Sequence, residues 1–399
     1  MRAPAPRVLF CTSEIPQSVN AGSMQLYRAL QGYPGDHLMV LGPAPELDAE
    51  LLPCRYETLR LLTYRLACTR FRSWASGLNA MNTLVEPQVR ESAKRLRGFA
   101  PQLVVTVMDK LSFYKHAWAL ARRLGVPLMT VTMDDPQTFE RAHPALEGSF
   151  QRFLRRLYRD AALSLGVSHE MCEYVARRFG KPSTPFYFGP PEGIFPRPPG
   201  ESSMLKSPPR LRLACATSLG LGYREGLKAS LGALESADAE VHLFTRDQHC
   251  LIDHPRIVNR GFLAPERLWP AVQETCDALL LPYAFDGSML RVYRTHFPTK
   301  LSEYCWVGMP IVVAGPEDAT GVRWARRHPE AATAAGSPAP NDLGRALAEL
   351  RTGGARRSSM AEAAAHIARA EFDPKVIREQ FWDHLRAAAG ETCEVTGAV

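Results

Sequence analysis

Short apolar runs alternate with stretches of helical periodicity along most of the chain, the pattern of βαβ units built on a parallel sheet. In the first half this pattern predicts strands at Arg7–Cys11, His37–Leu41, Leu103–Val107, Leu128–Thr132 and Leu163–Gly166. It predicts helices at about Met24–Gln31, Gln88–Arg97, Tyr114–Leu124, Gly148–Asp160 and His169–Phe179. From Pro182 to Pro209 the sequence turns rich in Pro and Gly (Gly-Pro-Pro-Glu-Gly, Pro-Arg-Pro-Pro-Gly, Ser-Pro-Pro), which suits a linker and not regular structure. The second half then restarts the same grammar. Strands are expected at Leu211–Ala216, Val241–Thr245, Ile257–Asn259, Ala278–Pro282 and Ile311–Ala314. The helices are expected to end near Leu234 and to cover Pro265–Thr275, Thr299–Trp306 and Asn341–Arg351. A last amphipathic helix, Asp373–Leu385, is placed to pack back across the first domain.

The expected fold class is therefore α/β, with two Rossmann-like domains facing across a cleft where a ligand would sit. The boundaries are 1–190 for the first domain, 191–209 for the linker, 210–370 for the second domain and 371–399 for the returning helix and tail. A length of 399 residues agrees with two cores, and 46% apolar with 22% charged residues is ordinary for a globular enzyme.

No apolar run is long enough to span a bilayer, and the Val8–Cys11 run is too short for the core of a signal peptide. The nine cysteines are scattered without a C-x-x-C pair, so neither a zinc site nor a disulfide framework is expected, and a reducing cytoplasm is the simplest location. Charge divides unevenly. Residues 1–190 hold 24 Lys and Arg against 16 Asp and Glu, a balance of +8, while the remainder holds 24 against 25, a balance of −1. Such asymmetry concerns partners, either an anionic molecule or a membrane surface; the arginine surplus of a GC-rich genome explains it equally well.

The most informative segment runs from Thr295 to Ala314, Thr-His-Phe-Pro-Thr-Lys-Leu-Ser-Glu-Tyr-Cys-Trp-Val-Gly-Met-Pro-Ile-Val-Val-Ala. A loop with Pro298 and Thr299 opens a helix whose first turn carries Lys300 and Glu303. The start of that helix offers amide groups and a positive dipole end to a phosphate, Lys300 adds a cation, and Glu303 can accept hydrogen bonds from vicinal hydroxyls such as those of a ribose. Gly308-Met309-Pro310 closes the helix before a buried strand.

This segment resembles the donor-site helix of glycosyltransferase family 4 and its relatives of the GT-B fold, in which Pro-(Ser/Thr)-Lys-Leu-x-Glu-Tyr and Gly-x-Pro-(Ile/Val)-Val recur. The resemblance implies that the loop Phe297–Lys300, with His296 and Leu301 at its edges, meets a diphosphate, and that Glu303 meets the ribose. The order Gly261-Phe262-Leu263, a short helix, Cys276-Asp277-Ala278 and Pro282-Tyr283 is similar to the same family, and implies a nucleobase edge held by the backbone near Phe262 and Leu263.

The loop Thr217–Gly226 contains Gly220 and Gly222, which let a backbone approach a ligand, and Arg224, which can pair with a phosphate through two bonds. Many relatives continue with Lys-Gly; Arg224-Glu225-Gly226 lacks that lysine, leaving Lys300, Arg246, Arg291 or Arg294 to substitute. In the first domain the loop Glu14–Met24 is no dinucleotide fingerprint, but its Gly22 and Ser23 resemble the turn by which family members approach the donor from the opposite lobe.

Two acidic loops stand at predicted strand ends, Met108-Asp109-Lys110 and Asp134-Asp135-Pro136. Asp109, Asp134 and Asp135 can orient an acceptor hydroxyl or act as a base, Asp134 and Asp135 alternatively serving as a turn before Pro136. His116 is expected to be a packed residue. No D-x-D motif sits in a suitable loop, so no metal is required. The segment Arg55–Trp74, with five arginines, one acid and many apolar groups, reads as an interfacial amphipathic segment or as a basic surface helix.

The resemblance implies hexosyl transfer from a nucleoside-diphosphate sugar to an acceptor hydroxyl with retention of configuration and no further cofactor, Arg224 and Lys300 stabilising the leaving diphosphate. The acceptor would be a glycan, a lipid-linked sugar or a small molecule. Contact with the inner membrane is a further reading, and a nucleic-acid partner is disfavoured. A sugar-nucleotide epimerase, a phosphorylase and a nucleotide-sugar binding protein without catalysis stay open beside it.

Overall fold

A computed structural model describes residues 4–19, 21–61, 65, 69–81, 85–137, 142–193, 208–287, 289–337 and 340–390. The chain divides into two compact units, Met1–Gly189 with Lys375–Val399, and Pro190–Pro374. Most of the linker expected at 191–209 lies outside the described residues.

The first unit runs β1 (Val8–Cys11), α1 (Ala21–Leu30), β2 (Leu38–Gly42), β3 (Arg55–Thr58), α2 (Arg72–Met81), α3 (Val85–Arg95), β4 (Leu103–Val107), α4 (Leu111–Leu124), β5 (Leu128–Thr132), α5 (Glu147–Asp160), β6 (Leu163–Gly166), α6 (His169–Phe179) and β7 (Thr184–Pro185). Its sheet has the order β3-β2-β1-β4-β5-β6-β7, and the paired strands are parallel. Every residue of β1, β2, β4 and β5 is buried, as expected of central parallel strands covered on both faces. Glycines in the left-handed conformation, Gly125 and Gly180, close α4 and α6, and the Ser168 hydroxyl accepts the Met171 N–H to start α6.

The second unit runs β8 (Leu211–Ala216), α7 (Tyr223–Ser236), β9 (Ala239–Phe244), β10 (Ile257–Gly261), α8 (Pro265–Thr275), β11 (Ala278–Pro282), α9 (Leu290–Tyr293), α10 (Lys300–Val307), β12 (Ile311–Ala314), α11 (Thr320–Arg327), β13 (Ala332–Ala335), α12 (Pro340–Thr352) and α13 (Gly354–Glu371). Its parallel sheet is ordered β10-β9-β8-β11-β12-β13. In both sheets the order of strand addition thus reverses beside the first strand, at β1/β4 and at β8/β11, the switch point where open α/β sheets place their ligands.

The last helix, α14 (Pro374–Ala388), belongs with the first unit. Phe381 is fully buried there, its ring centroid 6.5 Å from that of Phe10 and 5.3 Å from that of Phe186. The Trp382 indole donates to the Ala29 carbonyl at 3.0 Å and meets Tyr33 edge to face.

Several elements differ from expectation. The start of the Arg55–Trp74 segment is not helical: Arg55–Thr58 is edge strand β3, paired with β2. Residues 62–64 and 66–68 of that segment lie outside the described residues. α2, α11, β13 and α13 were not expected. β13 is Ala-Thr-Ala-Ala and α13 is Ala-rich, so neither carries the large apolar side chains that make periodicity readable. Among the described residues no helix is long and apolar enough to cross a membrane.

Candidate functional site

The second unit holds a cavity of about 250 Å³ at the carboxyl ends of β8, β9 and β10. Thr217 and Ser218 leave β8 into it, Thr245, Arg246 and Asp247 follow β9, Phe262 and Leu263 follow β10, and Lys300 enters from the start of α10. Strand-end residues converge there because parallel strands all open at one edge of the sheet. Four residues named from sequence, Arg246, Phe262, Leu263 and Lys300, therefore share one pocket.

Its chemistry is mixed. The Arg246 guanidinium lies over the Phe262 ring at 4.0 Å, leaving an aromatic plate that is 48% exposed and covered by a cation on one face. The Lys300 ammonium is 2.7 Å from Glu303 Oε2 and 5.7 Å from the Trp269 ring centroid. Glu303 is mostly buried and sits one helical turn behind the lysine, so it holds Lys300 at the pocket edge. Asp247, which the sequence did not single out, accepts the Leu219 N–H at 2.6 Å and so ties the β8 loop to the end of β9.

The α10 entrance departs from expectation in part. Pro298 lies in the loop ahead of the helix, as expected, and its carbonyl accepts the Leu301 N–H at 2.9 Å; the Glu303 N–H turns back to Thr299. Those two amides are already engaged within the turn, which leaves less of the helix start for a phosphate than expected. The side chains of Leu301 and Phe297 are buried, that of Phe297 against Phe372, so they pack and do not line the pocket. His296 gives its carbonyl to the Thr320 hydroxyl, and Thr299 caps α10 without a side-chain bond.

Two further placements differ. Arg224 turns its Nε to the Cys250 carbonyl at 2.9 Å and is not among the residues lining the pocket. Gly220 has open space around it, whereas Gly222 adopts φ +81 and a Cβ there would run into the Tyr293 hydroxyl. Next to it Leu221 holds φ +51, a left-handed conformation costly for a leucine, fixed by the Tyr293 hydroxyl donating to its carbonyl at 2.6 Å.

Behind the pocket, Tyr304 is fully buried. Its hydroxyl accepts the Ala216 N–H and donates to the Leu280 carbonyl, each at 3.2 Å. α10 is thereby fastened to the end of β8 and the middle of β11.

The first unit gathers a second set at its own switch point. The Ser13 hydroxyl, just past β1, donates to Asp109 Oδ2, just past β4, at 2.5 Å. Asp109 Oδ1 is buried without a hydrogen-bond partner. Desolvation, reinforced by Glu14 and opposed by the Ser13 bond and Lys110, pushes the Asp109 carboxyl up to about 7. Ser23 is buried in the first turn of α1 and donates to Glu14 Oε2 at 3.0 Å; Gly22 precedes it in the same turn.

Asp134 and Asp135 are placed less openly than expected. Asp135 is buried and its Oδ1 accepts the Gln137 N–H at 2.9 Å, a turn that binds its own backbone. Asp134 is half-buried beside it. His116 is a packed residue as expected: fully buried, 3.0 Å from the Ser92 hydroxyl, its pKa pushed down to about 4 by burial. Among the described residues no group of three or more His, Cys, Asp or Glu side chains is arranged to hold a metal ion.

No family model matches the chain, and no curated protein matches it. Solved structures do. HepE of Anabaena in complex with UDP is similar over 96% of this chain and 100% of its own, at 15% identity and a TM-score of 0.65. Sucrose-phosphate synthase of Thermosynechococcus elongatus is similar over 96% and 99%, at 14% identity and a TM-score of 0.67. A Listeria monocytogenes protein assigned as a UDP-N-acetylglucosamine 2-epimerase is similar over 99% and 100%, at 12% identity and a TM-score of 0.57. With the two parallel sheets of like strand order, these likenesses give the chain its fold class: α/β with two Rossmann-like domains, the GT-B fold.

Proposed function

We propose that the protein is a glycosyltransferase that takes a hexosyl group from a nucleoside-diphosphate sugar, resembling family 4, and delivers it to an acceptor hydroxyl. The observation that carries this reading is the meeting of Arg246, Phe262 and Lys300 in one pocket at the carboxyl edge of the second sheet. Phe262 offers a plate for a base, Lys300 a cation for the diphosphate, and Glu303, paired with that lysine, a carboxylate for the ribose. HepE was solved with UDP, and its likeness over nearly the whole chain supports a uridine nucleotide as the first donor to try.

In this mechanism the second unit is the donor domain and the first the acceptor domain. Lys300 and Arg246 offset charge growing on the leaving diphosphate, so no divalent ion is needed. Arg224, engaged with Cys250, is assigned a supporting part only. Asp109 is the preferred acceptor-side group, because a carboxyl that titrates near neutrality can both take and hold a proton. Retention of configuration follows from the family resemblance.

The test is release of nucleoside diphosphate from UDP-, GDP-, ADP- and dTDP-sugars, with and without EDTA, after a thermal-shift screen with the free nucleotides. Stabilisation by one nucleotide with acceptor-dependent release supports the reading. The fold is shared with a protein assigned as an epimerase, so the second reading is epimerisation of the donor; a sugar nucleotide inverted at one carbon, with no nucleotide released, would favour it.

A further inference from the structure

Helix α2 carries its side chains the wrong way round for a water-facing helix. Against the protein it sets Ser76, Asn79 and Ala80, which are 1%, 5% and 9% exposed. Towards solvent it sets Trp74, Leu78 and Met81, joined by Phe71 in the turn before, at 44%, 50%, 57% and 57% exposure. The steps from 71 to 74, 78 and 81 follow the helical period, so the four form one stripe. A surface helix is normally apolar inward and polar outward, and contiguous large apolar groups on the outside mark a contact.

The charges beside the stripe say what kind of contact. Between Glu57 and Glu86 the sequence contains no Asp or Glu, but it contains Arg60, Arg65, Arg70 and Arg72. All four are exposed and, among the described residues, none forms an ion pair. Elsewhere on the unit arginines find acids, as Arg90 and Arg123 do in Glu86. The Arg70 guanidinium lies over the Phe71 ring at 4.8 Å, and the Trp74 ring stacks on His143 at 3.9 Å.

We infer that this face of α2 docks the protein on an anionic lipid bilayer. The apolar stripe enters the boundary between headgroups and acyl chains, and Arg70 and Arg72 meet lipid phosphates. A second copy of the chain is a poorer occupant, because a two-fold contact would bring these arginines towards their own copies, and the sequence between Glu57 and Glu86 supplies no Asp or Glu to offset them. Docking needs neither donor nor acceptor, so it stands or falls separately from the transfer reading.

The experiment is co-sedimentation of the full chain with vesicles of phosphatidylcholine alone and of phosphatidylcholine with phosphatidylglycerol. Binding to the anionic vesicles is expected, on the order of tenfold stronger than to the neutral ones and weakened by salt. The combined substitution Trp74→Ser, Leu78→Ser and Met81→Ser should lower it on the order of tenfold, and Arg70→Gln with Arg72→Gln should remove the preference for anionic lipid. Quenching of tryptophan fluorescence by brominated lipid should fall on Trp74→Phe, a change that keeps the ring and the fold. The inference is overturned if the wild-type chain ignores anionic vesicles, if the serine variant is folded and binds as well as wild type, or if sedimentation velocity shows a dimer that those serines disperse.

Discussion

The hydroxyl of Tyr304 and the N–H of Ala216 meet at 3.2 Å, joining the helix that carries Lys300 to the strand that opens the pocket. The same hydroxyl donates to Leu280, so one oxygen sets the height of α10 over β8 and β11. Tyr304→Phe leaves a buried N–H and a buried carbonyl without that partner. A loss of about 1–2 kcal/mol is expected, seen as a fall of a few degrees in Tm. Nucleotide affinity should fall with it, because Lys300 and Glu303 ride on the same helix.

Lys300→Ala removes one of the pocket's two cations and strands Glu303. Affinity for the stabilising nucleotide should fall by about 1.5–3 kcal/mol, that is, roughly ten- to a hundredfold by calorimetry. Unchanged affinity in this variant and in Glu303→Ala would place the diphosphate elsewhere.

Phe262 is half exposed and carries little of the core, so Phe262→Ala should leave Tm nearly unchanged. If a base stacks on it, nucleotide affinity should drop by about 1–3 kcal/mol. Phe262→Tyr should restore most of that. A variant whose Tm and affinity fall together would instead mark Phe262 as a packing residue.

Asp109 ties stability to pH. Its pKa stands at about 7 in the fold against an ordinary 3.8, so between these values the folded chain holds a proton that the unfolded chain has released. Stability from this group is therefore full below about pH 4, declines as pH rises towards 7 and is level above it. Asp109→Asn removes the dependence: its Tm relative to wild type should climb from pH 4 to 7 and then hold constant. If the carboxylate is the acceptor-side base, wild-type turnover should rise with an apparent pKa near 7, and the variant should lose that limb together with most of its rate.

Gly226 tests the packing beneath the pocket loop. A Cβ there would lie 2.5 Å from the Pro282 carbonyl oxygen, backbone that cannot swing away. Gly226→Ala should cost about 1–3 kcal/mol, measured by denaturant unfolding. Gly220→Ala, with open space around it, should be close to neutral.

The sequence was most legible where apolar runs are buried on both faces. Leu103–Val107, Leu128–Thr132, Ala278–Pro282 and Ile311–Ala314 are strands with the ends expected of them. β3 escaped because an edge strand reading Arg-Tyr-Glu-Thr is half exposed and has no apolar run to find. In the pocket, Lys300 was legible because it opens a recognisable helix, whereas Phe262 was named through the family resemblance of the Gly261-Phe262-Leu263 order. Asp247 was not, since its value lies in a bond to Leu219, a partner distant in sequence. Arg224 misled for the converse reason: composition showed a cation near a glycine loop, but only three dimensions show it turned to Cys250.

The placement of α14 has a consequence for synthesis. Phe10 and Phe381 share one core, and Ala29 and Trp382 are bonded across 353 positions. As the chain leaves the ribosome, the segment Pro190–Pro374 emerges with all its sheet partners in hand, whereas the earlier unit must wait for its final helix. The later half is thus free to mature first, and a nascent chain stalled before residue 374 should carry an unsealed, chaperone-prone aromatic surface around Phe186 and Phe188.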